Sequence, residues 1–194
     1  MSVHNENLKR AGLPTVETLT RRILKVWDRA TASDIEAGAS WYDEAGSLVD
    51  TLAARAGTRE HAAAVIAHLS PRSTWTRNVL AAVAVITEAE LPAGVMTGPL
   101  ERAVDSLDAS DPISTLKGNK THRFALNILG DREAVTVDVW AARVAGVDAE
   151  RDLPRKGIYD AVEHAYRLAA RRAGVDPSTM QATTWVVARG GRAS

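Results

Sequence analysis

Two residues of this 194-residue chain pair a reactive side chain with a position at a helix end: Lys120 and Asp138, 18 residues apart. They lie in the stretch 113–146, ISTLKGNKTHRFALNILGDREAVTVDVWAARVAG. Its pattern predicts a helix, a tight glycine turn, a second helix, a short extended piece and a helix with an aspartate at its mouth. A glycine turn that opens a helix leaves backbone N–H groups pointing outward, where they hold a phosphate. The helix dipole adds partial positive charge at the same place. Lys120 stands at the start of the helix after Gly118, where that field disfavours an ammonium. Asp138 opens the later helix, where a carboxylate is favoured and stays ionised.

Almost every other segment also reads as helix. Alanine is abundant and aromatic residues make up only 5% of the chain, a bias away from strands. Val16, Leu19, Ile23, Val26 and Trp27 recur at helical spacing over about 15–30. A helix over about 33–56 opens on Ser33 and Glu36, spaced as a capping box. Gly57 closes it, and Thr58 caps a helix through Leu69. Further helices are predicted over about 73–88 and 99–107, from Asp111-Pro112, over about 120–129, 138–146, 157–173 and 178–189. The segment 134–140 alternates and is β-branched, but a single strand has nothing to pair with; an extended lead-in to a helix capped by Asp138 is the better fit. The expected organisation is a flexible N-terminus over 1–14, one all-α, two-lobed domain over 15–190 with a hairpin at about 114–124, and a loose tail over 191–194.

Composition limits the chemistry. With no cysteine, the chain has no disulfide framework, no cysteine-ligated zinc and no iron–sulfur cluster. His61 and His68 share a helical face but lack a third ligand, so no metal and no other cofactor is expected. The 24 basic and 24 acidic residues cancel. Contact with nucleic acid must therefore come from a local basic face, for which Lys117, Lys120, Arg123, Arg143, Arg155 and Lys156 are the candidates. No apolar run has the length of a membrane span and the first residues carry no leader-like apolar stretch, so no membrane partner and a cytoplasmic location are expected.

The 113–146 stretch resembles the helix-hairpin-helix DNA glycosylase superfamily, which includes endonuclease III and the 8-oxoguanine glycosylases. Gly118-Asn119-Lys120-Thr121 matches the end of that family's hairpin, and Val137-Asp138 through Arg143 matches its second motif. Leu69-Ser70-Pro71-Arg72 is similar to the segment whose polar residue fills the gap left by a flipped base, with Arg72 where glutamine is commoner. The first glycine of the family hairpin is replaced by Leu116, and Lys117 is expected to supply a side-chain phosphate contact instead. Without cysteines, this would be a cluster-free member. The chain is also similar to small glycosylase-like proteins of actinobacterial phages in Leu69–Arg72, Lys120–Phe124, Thr136–Trp140 and Gln181–Trp185 with Arg189. Some of their relatives take part in thymidine hypermodification.

The resemblance implies DNA as partner and a flipped, modified base as substrate. Asp138 would stabilise a sugar with oxocarbenium character, and Lys120 would attack its anomeric carbon. Gly118, Asn119, Thr121, Lys117, Arg72 and Arg123 would hold DNA, and Trp75, Trp140, Gln181 and Arg143 would line the pocket. Plainer roles stand beside these. Asp138 also suits a simple N-cap, and Lys120 a phosphate contact or a solvated surface lysine. The Trp residues suit core packing, with Trp41, Tyr42 and Trp185 as core or pocket wall. A transferase on a hypermodified base and a non-catalytic DNA-binding module are the alternative functions.

Overall fold

The computed structural model describes residues 2–190. Among them there are ten α-helices, one 3-10 turn and no strand, so the chain is all-α as its composition predicts. The helices are α1 (Val3–Arg10), α2 (Val16–Trp27), α3 (Ala32–Ala56), α4 (Arg59–Leu69), α5 (Trp75–Thr87), α6 (Thr97–Asp105), α7 (Asn119–Ile128), α8 (Val139–Ala145), α9 (Ile158–Ala173) and α10 (Pro177–Ala188). The chain divides into two compact units. One holds the residues up to Tyr42 together with those from Arg132 onward; the other is Asp43–Asp131. No helix among the described residues is long and apolar enough to cross a membrane.

Most helix starts follow from local capping chemistry. Thr15, Thr58, Thr74, Asp138 and Asp176 each accept a hydrogen bond from the backbone N–H three residues on, which satisfies one of the orphan donors of a first turn. The start of α3 corrects the expected Ser33–Glu36 box. The reciprocal pair is Thr31 and Asp34: the Thr31 N–H donates to Asp34 Oδ2 at 2.9 Å, and the Asp34 N–H donates to Thr31 Oγ1 at 3.2 Å. These bonds from Thr31, backbone first, hold the Asp34 carboxyl below its ordinary pKa. The helix from Asp111-Pro112 is also corrected, to a single 3-10 turn over Ile113–Thr115.

The first unit is built around α9. Leu19 and Ile23 of α2, Ile158, Val162 and Tyr166 of α9, and Met180 of α10 are fully buried in one core with Val135 and Val137. Each such side chain is worth about 1.5–3 kcal/mol relative to exposure. The N-terminal segment expected to be flexible is instead the helix α1, because tertiary contacts anchor it. Leu8 is fully buried in this core, Asn5 Oδ1 accepts the Val16 N–H at 2.8 Å, and the Arg155 guanidinium donates to the Ala11 carbonyl at 2.8 Å. The expected loose tail over 191–194 lies outside the described residues.

The second unit is centred on α4, whose residues from Ala62 through Leu69 are all buried. A helix apolar on every side needs neighbours all round, and α5, α6, α7 and the 3-10 turn pack against it. Its run of alanines lets them approach closely.

Candidate functional site

The extended segment that leads into α8 is what places Asp138. An unpaired extended piece must satisfy its backbone elsewhere, and here α9 and the start of α10 supply the partners. The Tyr159 hydroxyl accepts the Val137 N–H at 3.0 Å and donates to the Val135 carbonyl at 3.1 Å. Arg167 Nε donates to the Glu133 carbonyl at 3.2 Å, and the Ser178 N–H donates to the Arg132 carbonyl at 3.1 Å. Tyr159 thus replaces a neighbouring strand. Asp138 follows with extended backbone and accepts the Ala141 N–H on Oδ1 at 2.8 Å. The half-buried Asp138 is therefore a true N-cap of α8.

Behind Asp138 lies a buried set of hydroxyl and amide groups. The Tyr42 hydroxyl donates to Gln181 Oε1 at 2.7 Å. Burial pushes the Tyr42 hydroxyl pKa up, a hydrogen bond with the Thr136 hydroxyl opposes this, and the Asp138 charge raises it further. Tyr166 is raised by burial in the same way, with Thr184 opposing and Asp138 adding to the rise, and its hydroxyl donates to the Ala141 carbonyl at 3.1 Å. Asp138 is thus electrically coupled to two buried phenols. Neither phenol ionises near neutral pH, so both serve as dipoles rather than bases.

Aromatic side chains flank this set. Trp41 meets Tyr42 edge-on at 4.9 Å and Trp185 at 5.8 Å between ring centroids. Arg189 lies over the face of Trp185 at 4.4 Å, and Arg143 over Trp140 at 4.6 Å. These distances are those of cation–π pairs. Trp140 and Trp185 are half-buried. Of the residues singled out in sequence, this unit assembles Asp138, Trp140, Arg143 and Gln181. Thr136 opens the Thr136–Trp140 stretch already marked by resemblance, whereas Tyr166 is a member sequence reasoning missed; it lies 25 residues from the Ala141 carbonyl it bonds, and no local signal marks it.

The remaining candidates belong to the Asp43–Asp131 unit. Gly118 stands at the N-cap of α7 in extended conformation and makes no side-chain cap, so the first turn carries backbone donors without one. Lys120 lies in that turn and is half-buried; Asn119 is exposed. The Thr121 hydroxyl donates to the Gly118 carbonyl at 3.0 Å. Lys117, expected on a phosphate, here donates through Nζ to the Ser114 carbonyl at 2.8 Å, so it closes the 3-10 turn where the first hairpin glycine is absent. Arg123 is half-buried on the same helix.

Arg72 carries the clearest backbone signal. It adopts φ +55°, one of two non-glycine residues among those described with positive φ. A non-glycine residue held there costs roughly 1–2 kcal/mol, and such strain clusters at functional positions. Its side chain is exposed at the turn between α4 and α5. Trp75 opens α5 and meets Phe124 of α7 edge-on at 6.4 Å. The basic residues expected on one face divide between the units: Lys117, Lys120 and Arg123 in one, Arg143, Arg155 and Lys156 in the other. Arg155 is committed to the Ala11 carbonyl. His61 and His68 are bonded separately, to Thr58 and the Ala109 carbonyl and to the Thr115 hydroxyl. Among the described residues no three His, Asp or Glu side chains are grouped to hold a metal ion.

No curated protein and no solved structure matches the chain. A model of a family of unknown function, DUF7178, matches residues 5–192, and the chain belongs to that family.

Proposed function

We propose that the protein is a DNA glycosylase-like enzyme that acts in the cytoplasm on a flipped, modified base. The observation that carries this reading is Asp138, a helix-capping carboxylate coupled to the buried Tyr42 and Tyr166 hydroxyls and accompanied by Gln181 and two half-buried tryptophans. A carboxylate fixed by a backbone N–H stabilises positive charge developing on a sugar without reorganising. The uncapped first turn of α7 supports a phosphate contact in the other unit, and the strained, exposed Arg72 is suited to enter a base stack from which a base has left.

In the proposed step the electron pair of the glycosidic bond leaves with the base, which takes up a proton, while the Asp138 carboxylate stabilises the cationic sugar. Water then bonds to the anomeric carbon and gives up one proton, unless a trapped adduct shows that an amine takes its place. The test is incubation with DNA carrying modified bases, scored for abasic sites and for a borohydride-trapped adduct. Abasic product that disappears in Asp138→Asn supports the proposal. Trapping that disappears in Lys120→Ala assigns the nucleophile. A mass gain on the base without base loss would replace excision by group transfer, and DNA binding without any turnover would leave a binding module.

A further inference from the structure

Gln181 is only 4% exposed, and its amide is held in one orientation. The Thr136 hydroxyl hydrogen-bonds the Tyr42 hydroxyl, and the single Tyr42 proton goes to Gln181 Oε1 at 2.7 Å. The amide oxygen is thereby committed. The Nε2 group lies on the other side and makes no hydrogen bond among the described residues. It is also absent from the fully buried polar atoms that lack a partner, so it keeps contact with solvent. An amide so arranged offers donors and no acceptor. One turn further along α10, Trp185 presents its ring beside Trp41, and Asp138 is close enough to act on Tyr42. A donor pair, an aromatic pair and the carboxylate thus belong to one unit, each linked to Tyr42.

We infer that Gln181 is the specificity-determining residue of this site and that it selects bases carrying a carbonyl oxygen on the edge presented to it, an oxo-pyrimidine or oxo-purine, over the corresponding amino bases. The inference rests on the glycosylase-like reading of the site. A carbonyl accepts from Nε2, whereas an exocyclic amine meets it donor to donor and leaves both groups unpaired. Leaving a buried donor unpaired is a larger penalty than the bond is a gain, and sites built to hydrogen-bond their substrate reject the mismatched analogue strongly. Tyr42 acts here as a positioning residue: without its hydroxyl the amide is free to turn over and present its oxygen.

The test is fluorescence anisotropy of the full chain with duplexes that differ only in one central base set opposite an abasic analogue, so that neither base of a pair must be unpaired to leave the stack. Uracil is compared with cytosine and hypoxanthine with adenine; each pair exchanges an oxo for an amino group, and the two pairs distinguish ring size. The wild type is expected to bind the oxo member of at least one pair about tenfold more tightly. Gln181→Glu, which exchanges the donors for acceptors, should abolish or reverse that preference. Tyr42→Phe should narrow it by freeing the amide, and serves as the second variant if the glutamate does not fold. Equal affinity for both members of both pairs, or a preference unchanged in Tyr42→Phe, overturns the inference and leaves the base-excision proposal standing wherever abasic product still forms. Failure of the wild type to bind any duplex overturns both.

Discussion

Replacing Asp138 separates its structural role from its chemical one, because asparagine and alanine remove different parts of it. Asp138 Oδ1 accepts the Ala141 N–H at 2.8 Å, a bond an asparagine oxygen makes nearly as well. Asp138→Asn therefore keeps the cap and loses the interaction of a full charge with the helix N-terminus, about 0.5 kcal/mol. Asp138→Ala loses the cap as well, about 1 kcal/mol more. For a chain of this size each kcal/mol moves Tm by about 2–4 °C. Asp138→Asn should thus melt within about 2 °C of wild type and Asp138→Ala about 3–6 °C lower. If the carboxylate also stabilises a cationic transition state, both variants should lose turnover together, by about 100-fold or more, despite their different stabilities. The assay is a thermal melt by circular dichroism alongside single-turnover formation of abasic sites. Activity in Asp138→Asn within a few-fold of wild type would refute the chemical role and leave Asp138 as a cap alone. Equal melting of the two variants would refute the cap.

Other positions are testable without a substrate. A Cβ on Gly38 would lie 2.6 Å from the Thr183 Cα, a backbone atom that cannot step aside, so Gly38→Ala should lower stability by about 1–3 kcal/mol, read as a drop in Tm. Glu88 ends α5 with φ +56° and an exposed side chain; Glu88→Gly should raise the denaturation midpoint by relieving about 1 kcal/mol of strain, less the entropy that glycine adds to the unfolded chain. Burial lowers the His68 pKa to about 4, with Arg102 lowering it further and Asp105 opposing. The unfolded imidazole titrates near 6.5, so the folded state binds fewer protons. The stability this confers is complete above pH 6.5 and is lost as pH falls toward 4. His68→Gln, which can keep a bond to the Thr115 hydroxyl, should flatten the dependence of Tm on pH across that window.

The parts of the fold legible in the sequence are those governed by bonds that span three or four residues. The caps at Thr58 and Asp138 are of this kind, because the side-chain oxygen and the backbone N–H it accepts lie in the same turn. Local spacing alone does not choose between equivalent solutions. Ser33–Glu36 and Thr31–Asp34 both have capping-box separation, and the shorter aspartate two residues upstream formed the box. Asp111-Pro112 carries a helix-start signal, yet only a 3-10 turn follows, which Lys117 closes from its far side. Arg72 was legible by motif position, whereas its left-handed backbone was not, since arginine does not announce positive φ.

Lys120 and Asp138 could be picked out from a single stretch of chain because their surroundings are helix ends, and a helix end is written in the residues that make it. The all-α class was likewise determined by alanine abundance and the 3.6-residue period. Only tertiary structure decided that α1 is an ordered helix, since Leu8 is buried by α9, whose residues lie some 150 positions away in sequence. It also decided which groups stand behind Asp138. Tyr42 and Gln181 are 139 residues apart and meet at 2.7 Å, and the division of the chain at Asp131 assigns Lys120 and Asp138 to different units. Hydrogen bonds within a turn are specified by neighbours along the chain. Burial, and the orientation of a buried amide, are specified by whichever distant helices fill the remaining space.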